Sequence, residues 1–389
     1  MINSLKQWLK NNRLAYAIYY YLGSLFINLL KLFVKADDKT ILFVSYGGRR
    51  YSDSPRVLYE AMLCDARFAE FAPVWAFINP DKYTLADGTK KIRIDSLSYY
   101  ITALKARCWI TNVIIERALN FTGKNTFYFH TTHGTLVKLG GKDVKGNIFD
   151  TLSDYHYDCS LAQSEYERQV EMKCFGLPKE KIEIFGYPKN DILVTHTEQY
   201  RNVIRKKLGI SDEKICILYA PTFREDTDLK EQFNLDVALW QRVLGDEFVL
   251  LYRAHPVVKE DEEKGVDTSF FLDVTSYDPV EDLMIASDVL ISDYSGLIFD
   301  YCIMGKPIFL WTYDYEEYAK KRGFYFDMRK ELPYEEEEET LLNRVSMRSE
   351  RENSMACVNA FRDKYATEYG SATKKCLDLI YQKIGRQSA

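Results

Sequence analysis

The sequence predicts an α/β protein with two doubly wound parallel-sheet domains, preceded by a hydrophobic or amphipathic N-terminal helix. Two observations support the domains: a length of 389 residues, and two successive series of short apolar runs separated by helix-like spans. One long apolar stretch near the start supports the helix. With 47% hydrophobic residues, the chain can bury two cores of ordinary size.

The N-terminal element is the apolar stretch from Leu14 to Val34. It is long enough to cross a bilayer, which takes about 20 residues. Asn28 and Lys31 interrupt it, and its many tyrosines and phenylalanines suit the membrane interface. Three structures remain open: a helix lying in the interface, a single span, and a helix packed on its own domain. We expect residues 1–36 to form a membrane-associating helical segment.

The first predicted domain covers residues 37–205. Its apolar runs are bounded by turn residues and alternate with helix-like spans such as Val57 to Leu63, which is typical of a parallel sheet. The predicted strands are Ile41–Ser45, Val74–Ile78, Cys108–Ile110 and Phe127–Phe129.

The second predicted domain covers residues 206–389 and begins after a polar helix from Glu198 to Leu208. The same alternation of apolar runs and helix-like spans predicts a second parallel sheet. Its predicted strands are Ile215–Tyr219, Phe248–Tyr252, Phe270–Val274, Val289–Ser292 and Pro307–Trp311.

Charge and cysteine content exclude several classes of protein. A net charge of -5 gives no general attraction to nucleic acid, so we expect no nucleic-acid partner. The 8 cysteines include no C-x-x-C pair, which disfavours a zinc site and a disulfide framework and indicates a reducing compartment. The acidic residues show no spacing that requires a metal, although Mg²⁺ could still screen a bound diphosphate.

The segment from Leu290 to Leu310 reads as a buried strand, a polar turn, a helix and a second buried strand. The turn Ser292 to Gly296 would present backbone N–H groups and hydroxyls at the positive end of the helix, where an anion is stabilised. A phosphorylated ligand is the resulting hypothesis. The alternative is an ordinary helix N-cap without a ligand.

Ligands of open parallel sheets collect at the carboxyl ends of the strands. Three of the chain's 5 histidines follow predicted strands, together with arginines and hydroxyl residues. Histidine can move protons near neutral pH, and arginine can donate to phosphate oxygens. Each residue alone is more often structural, but together they predict a site that handles phosphate. The four segments are His130–Thr135, Ala220–Arg224, Arg253–Pro256 and Ser292–Gly296.

Several motifs, in their order and spacing, resemble the CDP-glycerol glycerophosphotransferases, the family of teichoic acid primases and polymerases. The resemblance runs from about Ile41 to about Asp327, but the family usually has a second hydroxyl residue where this chain has Gly296. It implies a GT-B-like fold, in which two Rossmann-like domains face a cleft, with an N-terminal acceptor domain and a C-terminal CDP-alditol donor domain. The motifs are His133–Lys138, Tyr219–Arg224, Arg253–Pro256, Ser292–Ser295 with Phe299–Asp300, and Tyr313–Tyr318 with Arg322–Asp327.

The resemblance implies transfer of glycerol phosphate from CDP-glycerol to a hydroxyl of a lipid-linked saccharide or growing polyol-phosphate polymer, with release of CMP. Such a bacterial enzyme serves teichoic acid or related cell-surface polymer synthesis. The implied partners are CDP-glycerol, a polyprenyl-linked saccharide acceptor and the cytoplasmic membrane surface, so we expect a peripheral protein at the cytoplasmic face of the cell membrane. No cofactor is required by the sequence, and Mg²⁺ could assist.

Roles for individual residues follow from the same resemblance. His133 is the expected general base, since the acceptor hydroxyl must lose its proton. His255 and Arg253, with Ser295 and the Gly296 N–H group, are expected to offset charge on the transferred phosphate. The remaining expected substrate contacts are Lys138 at the phosphates, Thr222 and Arg224 on the donor, Glu281 on the ribose, and Asp293, which could instead cap a helix.

Other functions remain open at this stage. Ribitol phosphate transfer from CDP-ribitol would use the same motifs. A GT-B glycosyltransferase that uses a nucleotide sugar would share the fold and the anion site. A non-catalytic protein that binds the lipid-linked polymer would not depend on His133.

Overall fold

The computed structural model describes residues 12–86, 88–144, 155–222, 224, 235–254 and 269–385. The chain divides into two compact units, which we describe separately. The first unit comprises Met1–His133, Gly140–Lys189 and Ser371–Ala389, and the second comprises Gly134–Leu139 and Asn190–Gly370.

The first unit contains a sheet of 7 strands in the order β3-β2-β1-β4-β5-β6-β7, with parallel pairing throughout. The strand order reverses beside β1, so the loops after β1 and β4 diverge and leave a crevice at the carboxyl edge. The strands are β1 Asp37–Val44, β2 Ala72–Phe77, β3 Lys90–Arg93, β4 Ala106–Thr111, β5 Phe127–His130, β6 Cys159–Ala162 and β7 Ile182–Ile184.

Helices cover both faces of this sheet. Along β1, Leu42 and Val44 belong to one buried cluster, whereas Ile41 and Phe43 belong to another. This alternation follows from the two-residue period of a strand and explains why β1 is continuously apolar. The helices are α1 Arg13–Phe33, α2 Asp53–Leu63, α3 Leu97–Lys105, α4 Glu165–Cys174 and, from the C-terminal segment, α13 Ala372–Ile384.

Helix α1 packs on the first unit through one face. Tyr20 and Ile27 on that face are buried. The Ser24 hydroxyl accepts the Asn120 N–H at 2.7 Å, and the Asn28 side chain donates to the Asn120 carbonyl at 2.8 Å. The polar residues that interrupt the apolar stretch therefore lie against the protein, where they fix the rotation of the helix.

The opposite face of α1 is apolar and exposed. Leu14–Phe33 is the one helix of the described residues that is long and apolar enough to cross a membrane. The packing of its other face agrees with a helix packed on its own domain, which is one of the three structures that the sequence left open. The exposed residues include Leu14, Leu22, Phe26, Leu32 and Phe33.

The second unit contains a sheet of 6 strands in the order β10-β9-β8-β11-β12-β13, again with parallel pairing. The order matches the first six strands of the other sheet, so its crevice lies beside β8 and β11, where Ser292 pairs with Ala220. The strands are β8 Ile215–Ala220, β9 Phe248–Tyr252, β10 Phe271–Asp273, β11 Val289–Ser292, β12 Ile308–Trp311 and β13 Tyr334–Glu335.

The core of the second unit is rich in aromatic side chains. Trp240 is fully buried, and Tyr219 and Trp311 pack beside it. The helices are α5 Ile192–Thr195, α6 Glu198–Lys207, α7 Val237–Leu244, α8 Val280–Ala286, α9 Leu297–Tyr301, α10 Tyr315–Arg322, α11 Glu338–Ser346 and α12 Arg348–Tyr365.

The predicted architecture of two Rossmann-like parallel-sheet domains with an N-terminal helix is confirmed. The division of the chain differs from the predicted boundaries of 1–36, 37–205 and 206–389. The first unit includes α1, and Gly134–Leu139 belongs to the second unit. The chain passes from the first unit to the second for the last time between Lys189 and Asn190, not between 205 and 206. Helix α13 belongs to the first unit because Cys376, Leu377, Ile380 and Ile384 complete a buried cluster there.

Candidate active site

His133 lies at the carboxyl edge of the first sheet, three residues beyond β5. Its Nδ1 atom is 3.1 Å from the backbone carbonyl oxygen of Asn112, the residue that follows β4. A carbonyl oxygen can only accept, so this contact assigns the proton of a neutral imidazole to Nδ1. The lone pair then lies on Nε2, which is the state that a general base requires.

His130 has a structural environment. Its ring stacks on Tyr157 with a centroid distance of 4.0 Å, and its Nδ1 lies 3.3 Å from the Ser160 hydroxyl. Burial, with a smaller effect of the neighbouring His133, lowers the pKa of His130 to about 3. His130 is therefore neutral at physiological pH, which leaves His133 as the better candidate for proton transfer.

The polar turn of the second unit follows β11. The Ser295 hydroxyl accepts the Leu297 N–H at 3.2 Å, and Gly296 precedes the short helix α9. A Cβ atom on Gly296 would lie 3.0 Å from the carbonyl oxygen of Thr135, closer than most real contacts. The close approach of this carbonyl explains why glycine suits the position where a hydroxyl residue is usual in the family that the sequence resembles.

The segment Gly134–Leu139 forms a strap along the second unit. Leu139 N–H donates to the Gly323 carbonyl at 3.2 Å, and Tyr325 N–H donates to the Val137 carbonyl at 2.8 Å. Lys138 pairs with Phe324 in an antiparallel bridge between these bonds. Lys138 is therefore held on the second unit, whereas the sequence had suggested the acceptor domain.

Asp293 is held by main-chain N–H groups and by an arginine of its own unit. Its carboxylate accepts the Thr222 N–H at 2.8 Å and the Tyr294 N–H at 2.6 Å, and it pairs with Arg224 Nη2 at 2.8 Å. The side chain is 4% exposed. These bonds hold the loops after β8 and β11 together and are not those of a helix cap, because the helix that follows begins after Gly296 and has no side-chain cap bond.

Arg224 joins three loops at the carboxyl edge of the second sheet. Its Nε and Nη2 atoms donate to the two carboxylate oxygens of Asp314 at 2.7 and 3.1 Å, and Nη1 donates to the Thr222 carbonyl at 2.6 Å. Its guanidinium also lies 4.6 Å from the Tyr318 ring centre. Burial opposes the charge, but Asp293 and Asp314 raise the pKa of Arg224 still further above its ordinary value.

Of the remaining predicted residues, Arg253 and Glu281 follow strands of the second sheet, and one lies outside the described residues. Arg253 donates from Nη1 to the carbonyl of Val274 at 3.2 Å and to that of Tyr277. Glu281 is buried in the first turn of α8, where the helix dipole favours a carboxylate. His255 lies outside the described residues. Within the described residues, no group of three or more His, Cys, Asp or Glu side chains could hold a metal ion.

Two residues beside the candidate sites were missed at the sequence level. Asn112 follows β4, and Asp314 follows β12 by a few residues. The rule that directed attention to the ends of strands would have selected Asn112. Asp314 lies within the motif Tyr313–Tyr318, but its pairing with an arginine 90 positions earlier in the chain depends on the folded geometry.

Comparison with known proteins gives a consistent result. The family described as CDP-glycerol:poly(glycerophosphate) glycerophosphotransferase matches residues 26–382. A teichoic acid poly(glycerol phosphate) polymerase of Staphylococcus epidermidis is 30% identical over 90% of this chain and 51% of its own length. The chain therefore spans about half the length of that relative.

Two further relatives are matched over nearly their whole length. A teichoic acid glycerol-phosphate transferase of Staphylococcus aureus is 28% identical over 90% of this chain and 95% of its own. A solved structure of a variant of the wall teichoic acid polymerase TagF with CDPG is 29% identical over 92% of each chain, with a TM-score of 0.83. The chain belongs to the CDP-glycerol:poly(glycerophosphate) glycerophosphotransferase family.

Proposed function

We propose that this protein transfers glycerol phosphate from CDP-glycerol to a hydroxyl of a lipid-linked saccharide or growing polyol-phosphate polymer and releases CMP. Family membership and the similarity to a polymerase solved with CDPG support the donor. The observation that carries the proposal is the contact between His133 Nδ1 and the Asn112 carbonyl oxygen, because it leaves Nε2 ready to accept a proton.

The first unit serves the acceptor in this proposal. The acceptor oxygen attacks the phosphorus of the glycerol phosphate group while its proton passes to His133 Nε2. A new P–O bond forms to the acceptor, and the bond from that phosphorus to the bridging diphosphate oxygen breaks. CMP leaves with the electron pair of the broken bond, so atoms and charge balance without a redox step.

The second unit serves the donor. Lys138, Arg253, Ser295 and the Gly296 N–H group offset the negative charge of the diphosphate, and His255 is proposed to share this role. Thr222 and Glu281 are proposed to contact the rest of the donor. The Thr222 hydroxyl supports this, because it is buried and has no hydrogen-bond partner in the described structure. Arg224 and Asp293 contribute indirectly, by holding the loops that carry these groups.

The exposed face of α1 supports a peripheral location at the cytoplasmic surface of the membrane. Leu22 and Phe26 on that face are 62% and 59% exposed. A lipid-linked acceptor stays in the leaflet, so an enzyme held at the surface meets a higher effective concentration of acceptor.

The test is CMP release with a synthetic lipid-linked disaccharide acceptor and three donors: CDP-glycerol, CDP-ribitol and UDP-glucose. Acceptor-dependent release from CDP-glycerol supports the proposal. Release from CDP-ribitol alone would change the alditol, and turnover of UDP-glucose alone would replace the proposal with glycosyl transfer. Parallel assays with Mg²⁺ and with EDTA measure the contribution of a divalent ion to the donor diphosphate.

A further inference from the structure

Beyond its contact with Asn112, His133 is connected to Tyr46, which lies in the loop after β1. The Asn112 side-chain oxygen accepts the Tyr46 N–H at 2.8 Å. The Tyr46 ring meets the His133 ring edge-on, with centroids 6.0 Å apart and an interplanar angle of 63°. Tyr46 therefore contacts both the His133 imidazole and Asn112, the residue that orients it.

The connection continues from Tyr46 back to the main chain of His133. The Tyr46 hydroxyl donates to Asp53 Oδ2 at 2.7 Å. Lys189 Nζ lies 3.9 Å from the same carboxylate oxygen and 3.4 Å from the His133 carbonyl oxygen. The Lys189 and Asp53 side chains are 6% and 3% exposed, so their charges are shielded from solvent.

We propose that these contacts form a closed positioning ring, defined as His133, Asn112, Tyr46, Asp53 and Lys189, which holds the imidazole in its base-competent orientation. The inference rests on the proposed function of His133 and deepens it. Tyr46, Asp53 and Lys189 are positioning residues, since they act on the substrate only through His133.

Backbone strain supports a functional role for the ring. Tyr46 has φ 46°, Asp53 has φ 65°, and Thr132, next to His133, has φ 52°. Left-handed backbone is uncommon for residues other than glycine, and rarer still for a β-branched residue such as threonine. Such conformations persist only where the surrounding contacts hold them, and they cluster at functional sites.

The ring controls two properties of the base. The Asn112 carbonyl selects the Nδ1–H tautomer, and the Lys189 contact fixes the main chain from which the imidazole extends. Losing the Asn112 contact or the Lys189 contact would let the imidazole of His133 rotate or change its tautomer. The Nε2 lone pair would then no longer point to the place where the acceptor loses its proton. Small misplacements of a catalytic group cost up to about 100-fold in rate.

The test compares Tyr46→Phe with Tyr51→Phe. Both substitutions remove a bond from a phenol to a carboxylate in the same segment, since Tyr51 donates to Glu60 at 2.9 Å. We expect Tyr46→Phe to lower kcat roughly 10-fold or more with an unchanged KM for CDP-glycerol, because the donor is bound by other residues. Tyr51→Phe should match the wild type. Equal kcat values for the two variants and the wild type would overturn the proposal.

Lys189 gives an independent arm. Lys189→Met should lower kcat, whereas Lys189→Arg keeps a cation beside Asp53 and should restore most of the rate. Thermal melting of each variant establishes that it is folded. An equal loss of kcat in folded Lys189→Arg and Lys189→Met would show that the cation of Lys189 does not position His133.

A readout without turnover separates this inference from the proposed function. Nitrogen-15 NMR of labelled histidines reports the tautomer of each imidazole, and His133→Ala identifies the signal. We expect Nδ1–H for His133 in the wild type and in Tyr51→Phe, and a second tautomer in Tyr46→Phe. An Nε2–H signal in the wild type would overturn the ring. Full turnover by His133→Ala would overturn the proposed base alone, and the tautomer signal would still test the positioning.

Discussion

The two sheets share a strand order, yet their carboxyl edges use charged residues differently. At the first edge, the His133 ring is held through Nδ1 by a main-chain carbonyl, which leaves its other nitrogen for chemistry. At the second edge, Arg224 and Asp293 form strong bonds with each other and with their own loops. The partners of a charged residue at the end of a strand must therefore be known before the residue can be assigned a contact with a ligand.

The largest expected effect comes from removing the proposed base. His133→Ala should lower kcat by about 100-fold to 10,000-fold, the range typical of general base catalysis. His196→Ala is the matched control, because His196 likewise places Nδ1 near a backbone carbonyl, that of Ile192, at 3.0 Å, but follows helix α5 and not a strand. The measurement is CMP release at saturating CDP-glycerol, and equal losses in the two variants would contradict the role of His133.

Asp314→Asn probes the carboxyl edge of the second sheet. The change removes one charge from the bidentate pair with Arg224, whose side chain is 14% exposed. We expect the melting temperature to fall and the KM for CDP-glycerol to rise roughly 10-fold, because the donor loops lose their shared anchor. The control is Glu316→Gln, since Glu316 is 91% exposed and meets Arg329 only at 3.9 Å. An unchanged KM in Asp314→Asn would show that these loops keep their positions without the pair.

The apolar face of α1 gives a third contrast within the first unit. The double substitution Leu22→Glu with Phe26→Glu should abolish sedimentation with phosphatidylglycerol vesicles, since it places two charges on the face proposed to enter the interface. Leu97→Glu adds a charge at a position of similar exposure, 59%, on helix α3 and should sediment like the wild type. Sedimentation of the double variant at wild-type levels would refute the membrane role of this face.

The last contrast concerns the stability of the first unit near the loop after β4. Burial raises the pKa of Glu116 to about 7, although a bond from the Tyr128 hydroxyl opposes the shift. A raised pKa in the folded state means that Glu116 contributes stability that is full below about pH 4.5 and is lost as the pH rises through about 7. We expect Glu116→Gln to remove this loss, which is on the order of 3 kcal/mol.

Urea unfolding of the wild type and of Glu116→Gln at about pH 5 and about pH 8 measures the difference. The wild type should lose more stability between the two conditions than the variant does. Parallel changes in both proteins would assign the pH dependence to other groups.

The sequence predicted the strands that are continuously apolar, such as β1 and β11, because burial on both faces leaves a clear pattern. It missed the short strands β3, β6, β7 and β13. The sequence of β3, Lys-Lys-Ile-Arg, has a single buried residue, and β6 is buried throughout but only 4 residues long. It placed His133 shortly after a strand, and the structure has it three residues beyond β5. It could not predict that Arg224 and Asp293 pair, because charge pairing between distant loops depends on the folded geometry.

The position of α13 has a consequence for the order of the chain. Residues from both ends of the sequence build the first unit, and the Arg67–Asp378 ion pair at 2.8 Å joins them directly. The second unit is thus an insertion within the first, apart from the strap Gly134–Leu139. During synthesis, the cluster around Leu58 stays incomplete until Ile380 has been made, so the unit that carries the proposed base is the last to be finished although most of it is made first.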